Sequence, residues 1–200
     1  MGGVEKVLGT TADNTKDVYS RFNYYKNRKG ITMSGLACSF TGHREIESGH
    51  RARLPEVLLR AVYLAYEKGV RRFYNGGAYG FDLMAARAVL LAKIRYPDIS
   101  LHIIVPCQGQ SDKWSRENKQ SYEYVLSRAD TVDTLSDRYY QGCMHQRNAR
   151  LVDLADLVIA YVGKSNGGSY RTLTLAYRKE KSILNLYPVL DGERELDISL

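Results

Sequence analysis

The stretch His145-Gln146-Arg147-Asn148-Ala149-Arg150-Leu151-Val152-Asp153-Leu154-Ala155-Asp156-Leu157-Val158-Ile159-Ala160-Tyr161 decides the fold. In its first part Ala149, Leu151, Val152, Leu154 and Ala155 form the apolar stripe of a helix over 145–155. After Asp156 comes a short run with strand character that is apolar at successive positions, so both of its faces must be buried. A helix delivered directly into such a strand is half of a crossover unit, the connection that parallel strands require.

Working outward, the same alternation recurs. Apolar, β-rich runs stand at 36–40, 70–74, 101–105, 130–134, 157–162 and 182–187, and helical spacing occupies 54–67, 81–94, 115–128, 145–155 and 169–180. In 54–67 the residues Leu54, Val57, Leu58, Ala61, Val62, Leu64 and Ala65 recur at threes and fours, and Gly69 stands where a helix stops. The pattern predicts an α/β fold: a doubly wound, mainly parallel, Rossmann-like sheet with helices on both faces. Residues 1–33 depart from it, holding few aliphatics and the cluster Tyr19-Ser20-Arg21-Phe22-Asn23-Tyr24-Tyr25. They are expected to form a short N-terminal arm or appendage, leaving 34–200 as one domain. The polar run Asp191-Gly192-Glu193-Arg194-Glu195-Leu196 is expected at its periphery.

Composition narrows the function classes. A chain of 200 residues that is 44% hydrophobic and 26% charged is neither disordered nor fibrous. Its longest apolar run falls far short of the roughly 20 residues that span a bilayer. The start Met1-Gly2-Gly3-Val4-Glu5-Lys6 lacks the pattern of a signal peptide. Three scattered cysteines argue for a reducing compartment, so a cytoplasmic location is expected. The 29 Lys and Arg exceed the 22 Asp and Glu by seven, which favours polyanionic partners. That excess is uneven: residues 1–72 hold 13 basic against 7 acidic side chains, residues 73–200 hold 16 against 15. The distribution favours a small anionic ligand over a broad nucleic-acid face.

In an open parallel sheet ligands bind beyond the carboxyl ends of the strands. The predicted strands are followed there by Thr41-Gly42-His43-Arg44, Asn75-Gly76-Gly77-Ala78-Tyr79-Gly80-Phe81-Asp82, Pro106-Cys107-Gln108-Gly109-Gln110 and Gly163-Lys164-Ser165-Asn166-Gly167-Gly168-Ser169. Small residues let backbone approach a ligand, and the helix starts that follow direct N–H groups at an anion. Phosphate is the expected guest. Neither the dinucleotide fingerprint nor a Walker loop is present: the glycines follow the second strand, and no Lys-Ser/Thr pair ends the loop.

Arg44 can fork onto phosphate or carboxylate, or pair with Glu45 or Glu47 on the surface. Asp82 can receive a ribose hydroxyl, or simply favour a helix start. Arg147 and Asn148 can reach the same rim or lie on the helix surface. Ser169 reads as a helix cap. Trp114 can close over a base or pack at the core edge. Cys143-x-His145 with Cys107 lacks zinc-ligand spacing, so no metal is expected, and no nucleophile elbow is present.

The series Cys38-Ser39-Phe40-Thr41-Gly42-His43-Arg44, Gly76-Gly77-Ala78-x-Gly80-Phe81-Asp82, Pro106 with Trp114, Arg147-Asn148-x-x-Leu151-Val152-Asp153-x-Ala155-Asp156-x-Val158-Ile159-Ala160 and Gly167-Gly168 resembles the YpsA-like family. That family lies in the SLOG superfamily of Rossmann-like domains, with the DNA-processing protein DprA and the LOG-type phosphoribohydrolases. The resemblance spans about 36–187. It implies a nucleotide or nucleotide-derived ligand in the strand-end cleft, which the protein would sense or sequester. The residues it carries over as ligand candidates are Gly42, His43, Arg44, Gly76, Gly77, Asp82, Arg147, Gly167 and Gly168. With the residue readings above, Thr41, Asn148 and Ser169 complete the set.

LOG-type enzymes carry Pro-Gly-Gly-x-Gly-Thr-x-x-Glu, whose glutamate serves N-glycosidic cleavage. Here the matching stretch is Asn166-Gly167-Gly168-Ser169-Tyr170-Arg171-Thr172-Leu173-Thr174-Leu175, and no acid follows until Glu180. Nucleoside-phosphate hydrolysis would therefore need Asp82 as the catalytic carboxylate. The expectation is a binding protein without a cofactor. Its partner is a nucleotide-derived small molecule, with single-stranded nucleic acid as an alternative, no membrane partner, and homo-oligomerisation left open.

Overall fold

The computed structural model describes residues 35–198 and 200; the arm expected over 1–33 lies outside the described residues. Six strands alternate with helices: β1 (Leu36–Gly42), β2 (Val70–Asn75), β3 (Ser100–Val105), β4 (Thr131–Thr134), β5 (Leu157–Tyr161) and β6 (Ser182–Asn185). The helices are α1 (Leu54–Glu67), α2 (Phe81–Arg95), α3 (Arg116–Arg128), α4 (Cys143–Leu154), α5 (Gly167–Arg178) and α6 (Leu186–Leu190). Every strand pair is parallel, and the order across the sheet is β4-β3-β2-β1-β5-β6. This is the expected Rossmann-like α/β architecture.

The central strands bury both faces, as their unbroken apolar runs require: β5 is buried throughout and β1 is buried from Leu36 to Thr41. β4 differs. Its four residues are all exposed, whereas β6, at the opposite edge, is largely buried under α5. Two Ala-Asp pairs fix the register where helices hand over to strands. Asp156 accepts from Ala37 N at 2.9 Å and donates its own N–H to Ala37 O at 2.8 Å. Asp130 does the same with Leu101, at 2.8 Å in both directions. Each carboxylate satisfies a strand-start N–H that the ladder leaves over.

α1 buries Leu54, Val57, Leu58, Ala61, Val62 and Ala65 on one stripe and stops before Gly69, whose φ is +95°. α2 is Ala-rich and almost enclosed along its first two turns, from Phe81 to Val89. The C-terminal tail is less peripheral than its polarity suggests. Asp191 bonds His50, and Ile198 is fully packed in the main core with Leu196 and Leu200 beside it. The apolar residues interleaved with the charged ones anchor it.

Candidate functional site

The chain leaves β1 toward β2 and leaves β5 toward β6, in opposite directions across the sheet, so the crevice between the ends of β1 and β5 is the topological switch point. On one side of it the loop joining β2 to α2 folds onto itself. Buried Asn75 accepts from Gly77 N at 2.7 Å and donates through Nδ2 to Asp82 O at 2.8 Å. Gly80 has φ +83°, and a Cβ there would enter the Arg44 main chain. That close approach lets Phe81 N donate to His43 O at 3.1 Å, locking the start of α2 against the end of β1. The Phe81 ring in turn fills the space a side chain at Gly42 would need.

Arg147, placed among helix-surface residues as one of its sequence readings, is buried. α4 presents it inward, where Nη1 donates to Gly76 O and Nε donates to Asn148 Oδ1 at 2.8 Å. A Cβ at Gly76 would stand 2.9 Å from Asp82 Oδ2 and collide with the Arg147 guanidinium, so cation and carboxylate converge over that glycine. Burial pushes the Asp82 carboxyl up to about 6, against the opposing pull of Arg147, the Ala78 N–H and Arg44. Asp82 is thus ionised at neutral pH but held in a desolvated place.

Arg44 makes no ion pair with Glu45 or Glu47 among the described residues; it lies 4.9 Å over the Tyr79 ring, exposed at the rim. His43 accepts from Gly163 N through Nε2 at 3.0 Å, which places its proton on Nδ1. Burial, and secondarily Lys164, lower its affinity for a second proton. Thr41 is buried within β1.

The loop joining β5 to α5 has the opposite character. Gly167 and Gly168 are exposed, and nothing lies within 4 Å of where a Cβ would stand at either. α5 begins two residues before the expected 169, so Ser169 is not its cap. Asn166 holds that position without a side-chain capping bond, while Ser169 Oγ donates to Gly42 O at 2.6 Å. Asn148 Nδ2 donates to Thr172 Oγ1 at 2.8 Å, joining α4 to α5 just behind the loop.

Beside the folded loop lies a cleft of about 950 Å³ with Arg44, Tyr79, Gln110 and Trp114 in its wall. Trp114 meets Tyr79 edge-on at 5.2 Å between ring centres and Tyr122 at 5.3 Å. Gln110 donates to Gly77 O at 3.3 Å, leaving its buried Oε1 without a partner. Lys113, Arg138 and Tyr139 stand exposed along the outer lip. The sequence points to Arg44, Trp114, Tyr79 and the loop holding Gln110 here, but not to Lys113, Arg138 or Tyr139. Lys113 comes from the loop after β3 and Arg138 and Tyr139 from the loop after β4, and they meet only through the sheet order.

The fold also assembles a polar set that no spacing announced. His50 Nδ1 is 2.8 Å from Tyr161 Oη and its Nε2 is 2.9 Å from Asp191 Oδ1. Glu47 N donates to Tyr161 Oη at 3.3 Å, and Tyr187 Oη donates to the Glu47 carboxylate. This network ties the tail to the loop after β1. No group of three or more His, Cys, Asp or Glu among the described residues is arranged to hold a metal ion, and none of their helices is long and apolar enough to cross a membrane.

The chain is similar to several known proteins. A UPF0398 protein of Bacillus thuringiensis (strain Al Hakam) is 27% identical over 136 residues, covering 67% of this chain and 74% of its own. DprA of Helicobacter pylori, described as binding single-stranded DNA, superposes with a TM-score of 0.54 at 17% identity over 81% of this chain and 75% of that one. DprA of Streptococcus pneumoniae superposes at 0.53 with 16% identity over 76% of this chain, which spans about half (50%) of that protein. At such identities the superpositions speak for the shared Rossmann-like fold. A model of the YpsA family, described as the YspA SLOG family, matches residues 40–189, from the end of β1 through α6, and the chain belongs to that family.

Proposed function

We propose that the protein binds a nucleotide or nucleotide-derived small molecule at the strand-end crevice, holding it without turnover. The observation that carries this reading is the pairing of two surfaces along one rim. The uncovered Gly167-Gly168 turn at the start of α5 offers backbone N–H groups to an anion. The Tyr79–Trp114 wall beside Arg44 offers a stacking face for a base. α4 links the two, since Met144 lines the cleft and Asn148 reaches Thr172 of α5.

Binding is favoured over hydrolysis by the enclosure of Asp82. Its side chain is 7% exposed, faces Arg147 and Gly76, and is committed to holding the loop. A carboxylate that stabilises an oxocarbenium-like centre must touch the substrate. The test is a thermal-shift panel of AMP, ADP, ADP-ribose and cyclic AMP, with the ligand recovered for mass spectrometry. At a hundredfold excess over Kd, about 2.7 kcal/mol of stabilisation raises Tm by roughly 5–11 °C. Recovered ligand should be intact. Release of free base, lost in Asp82→Asn, would replace this reading with the hydrolase.

A second reading, single-stranded nucleic acid across the same cleft, draws on the exposed Lys113, Arg138 and Tyr139 at its lip. It predicts that labelled oligo-dT binds with an affinity falling steeply with salt. Absence of binding at about 20 mM salt, where the Debye length is about 20 Å and screening is weak, would remove it.

A further inference from the structure

We propose that the groove between α2 and α3, on the outer face of the domain, is a docking surface for an acidic amphipathic helix of a partner protein. α2 carries Arg87, Leu91 and Ile94 at spacings of four and three, so they form one ridge. α3 carries Tyr124 and Arg128 four residues apart, forming the facing ridge. Together with Leu90 and Lys93 they enclose about 660 Å³.

The apolar members are exposed well beyond what a solvated helix face requires: Leu91 is 51%, Tyr124 46% and Ile94 80% accessible. The cations around them are uncompensated. The Arg87 and Arg128 guanidinium groups lie 5.4 and 5.6 Å from the Tyr124 ring centre, and neither has a carboxylate partner among the described residues. Only Lys93 is paired, with Asp130.

Charge complementarity selects the occupant. A second copy placed symmetrically would set Arg87 and Arg128 against their own equivalents, and like charges repel. The chain's first 34 residues, with six Lys and Arg against three Asp and Glu, carry the same sign as the groove. Nucleic acid would satisfy the arginines but would leave Leu91 and Ile94 facing phosphate and sugar. Two parallel ridges with apolar residues at helical spacing and basic flanks match a helix that presents aliphatics on one stripe and carboxylates beside it.

The probe is a fluorescein-labelled 18-residue helical peptide with Leu at positions three and four apart and Glu on both flanks. Full-length protein should bind it saturably by fluorescence polarisation. Ile94→Asp, which alters a side chain already in solvent, should weaken binding at least about tenfold, as removal of a central anchor does. Arg87→Glu with Arg128→Glu should do the same, and replacing the peptide's Glu by Gln should reproduce the loss. Arg150→Ala, on the exposed side of α4, which packs against α5 rather than α2 or α3, should leave binding unchanged. Equal affinity of wild type and Ile94→Asp would overturn the proposal. So would Ile94-dependent binding to vesicles of anionic phosphatidylglycerol without peptide binding, Ile94-dependent dimerisation by light scattering, or oligo-dT binding lost only in the arginine variants.

Discussion

The loop after β2 and the loop after β5 look alike as sequence, since each offers adjacent glycines between a strand and a helix. The fold treats them differently. At Gly76 and Gly80 the missing side chains are used by the protein itself, which packs Arg147, Asp82 and the Arg44 backbone into the space. At Gly167 and Gly168 the space is left open. Glycine therefore does two different things on one rim: at Gly76 and Gly80 it permits close internal packing around Arg44 and Asp82, and at Gly167 and Gly168 it leaves backbone uncovered, where the proposed anionic guest would sit.

The substitution that most directly breaks this contrast is at Gly80. Gly80→Ala forces a Cβ into the Arg44 carbonyl at a positive φ, and is expected to cost about 2–4 kcal/mol in chemical denaturation. Gly168→Ala, in open space within a helix, should be neutral or stabilising by up to about 1 kcal/mol, yet its methyl would intrude on the ligand and lower affinity. Comparable destabilisation at both sites would erase the distinction.

Larger in free energy is the buried charge of the closed loop. Arg147→Met leaves Asp82 without its main cation and should destabilise by about 3–5 kcal/mol at pH 7. At pH 4.5, where Asp82 is protonated, that loss should shrink. A third prediction concerns wild type. Because folding raises the Asp82 pKa to about 6, the folded state binds the extra proton between the unfolded value, near 4, and that pH. Asp82 thus makes stability fall as pH rises through that window, by on the order of 2–3 kcal/mol. Asp82→Asn should flatten that part of the curve, and an unchanged slope would place the proton elsewhere.

Much of this was readable beforehand, and the failures have definite causes. Periodicity located every strand and helix from β1 to β6, since apolar runs and stripes record burial directly. It does not distinguish β4 from β6, both edge strands, because only the tertiary packing of α5 over β6 and not over β4 separates them. Ser169, at the start of the helical spacing over 169–180, reads as a cap, but the chain starts α5 two residues earlier, at Gly167, and turns Ser169 back to Gly42. Arg44, Asp82 and Arg147 stood out by residue type. Lys113, Arg138 and Tyr139 did not, because loops from two different strands must meet before they share a wall. No pattern in the letters separates a glycine filled by its neighbours from one left open.

The smallest predicted effect lies at the outer lip of the cleft. Lys113→Ala or Arg138→Ala should weaken nucleotide binding only about two- to fivefold, and less at high salt, since exposed charges are screened. If either abolished binding, the anion site would move from α5 to the lip.

The central claim, that a nucleotide occupies the crevice with its base on the aromatic wall, can be read from one fluorophore. Trp114 is the sole tryptophan of the chain and stands in that wall. Titration of the nucleotide giving the largest thermal shift should change Trp114 emission saturably, at the same concentrations that raise Tm, and Arg44→Ala should remove both responses. Thermal stabilisation with Trp114 emission unchanged would place the ligand elsewhere and contradict the account.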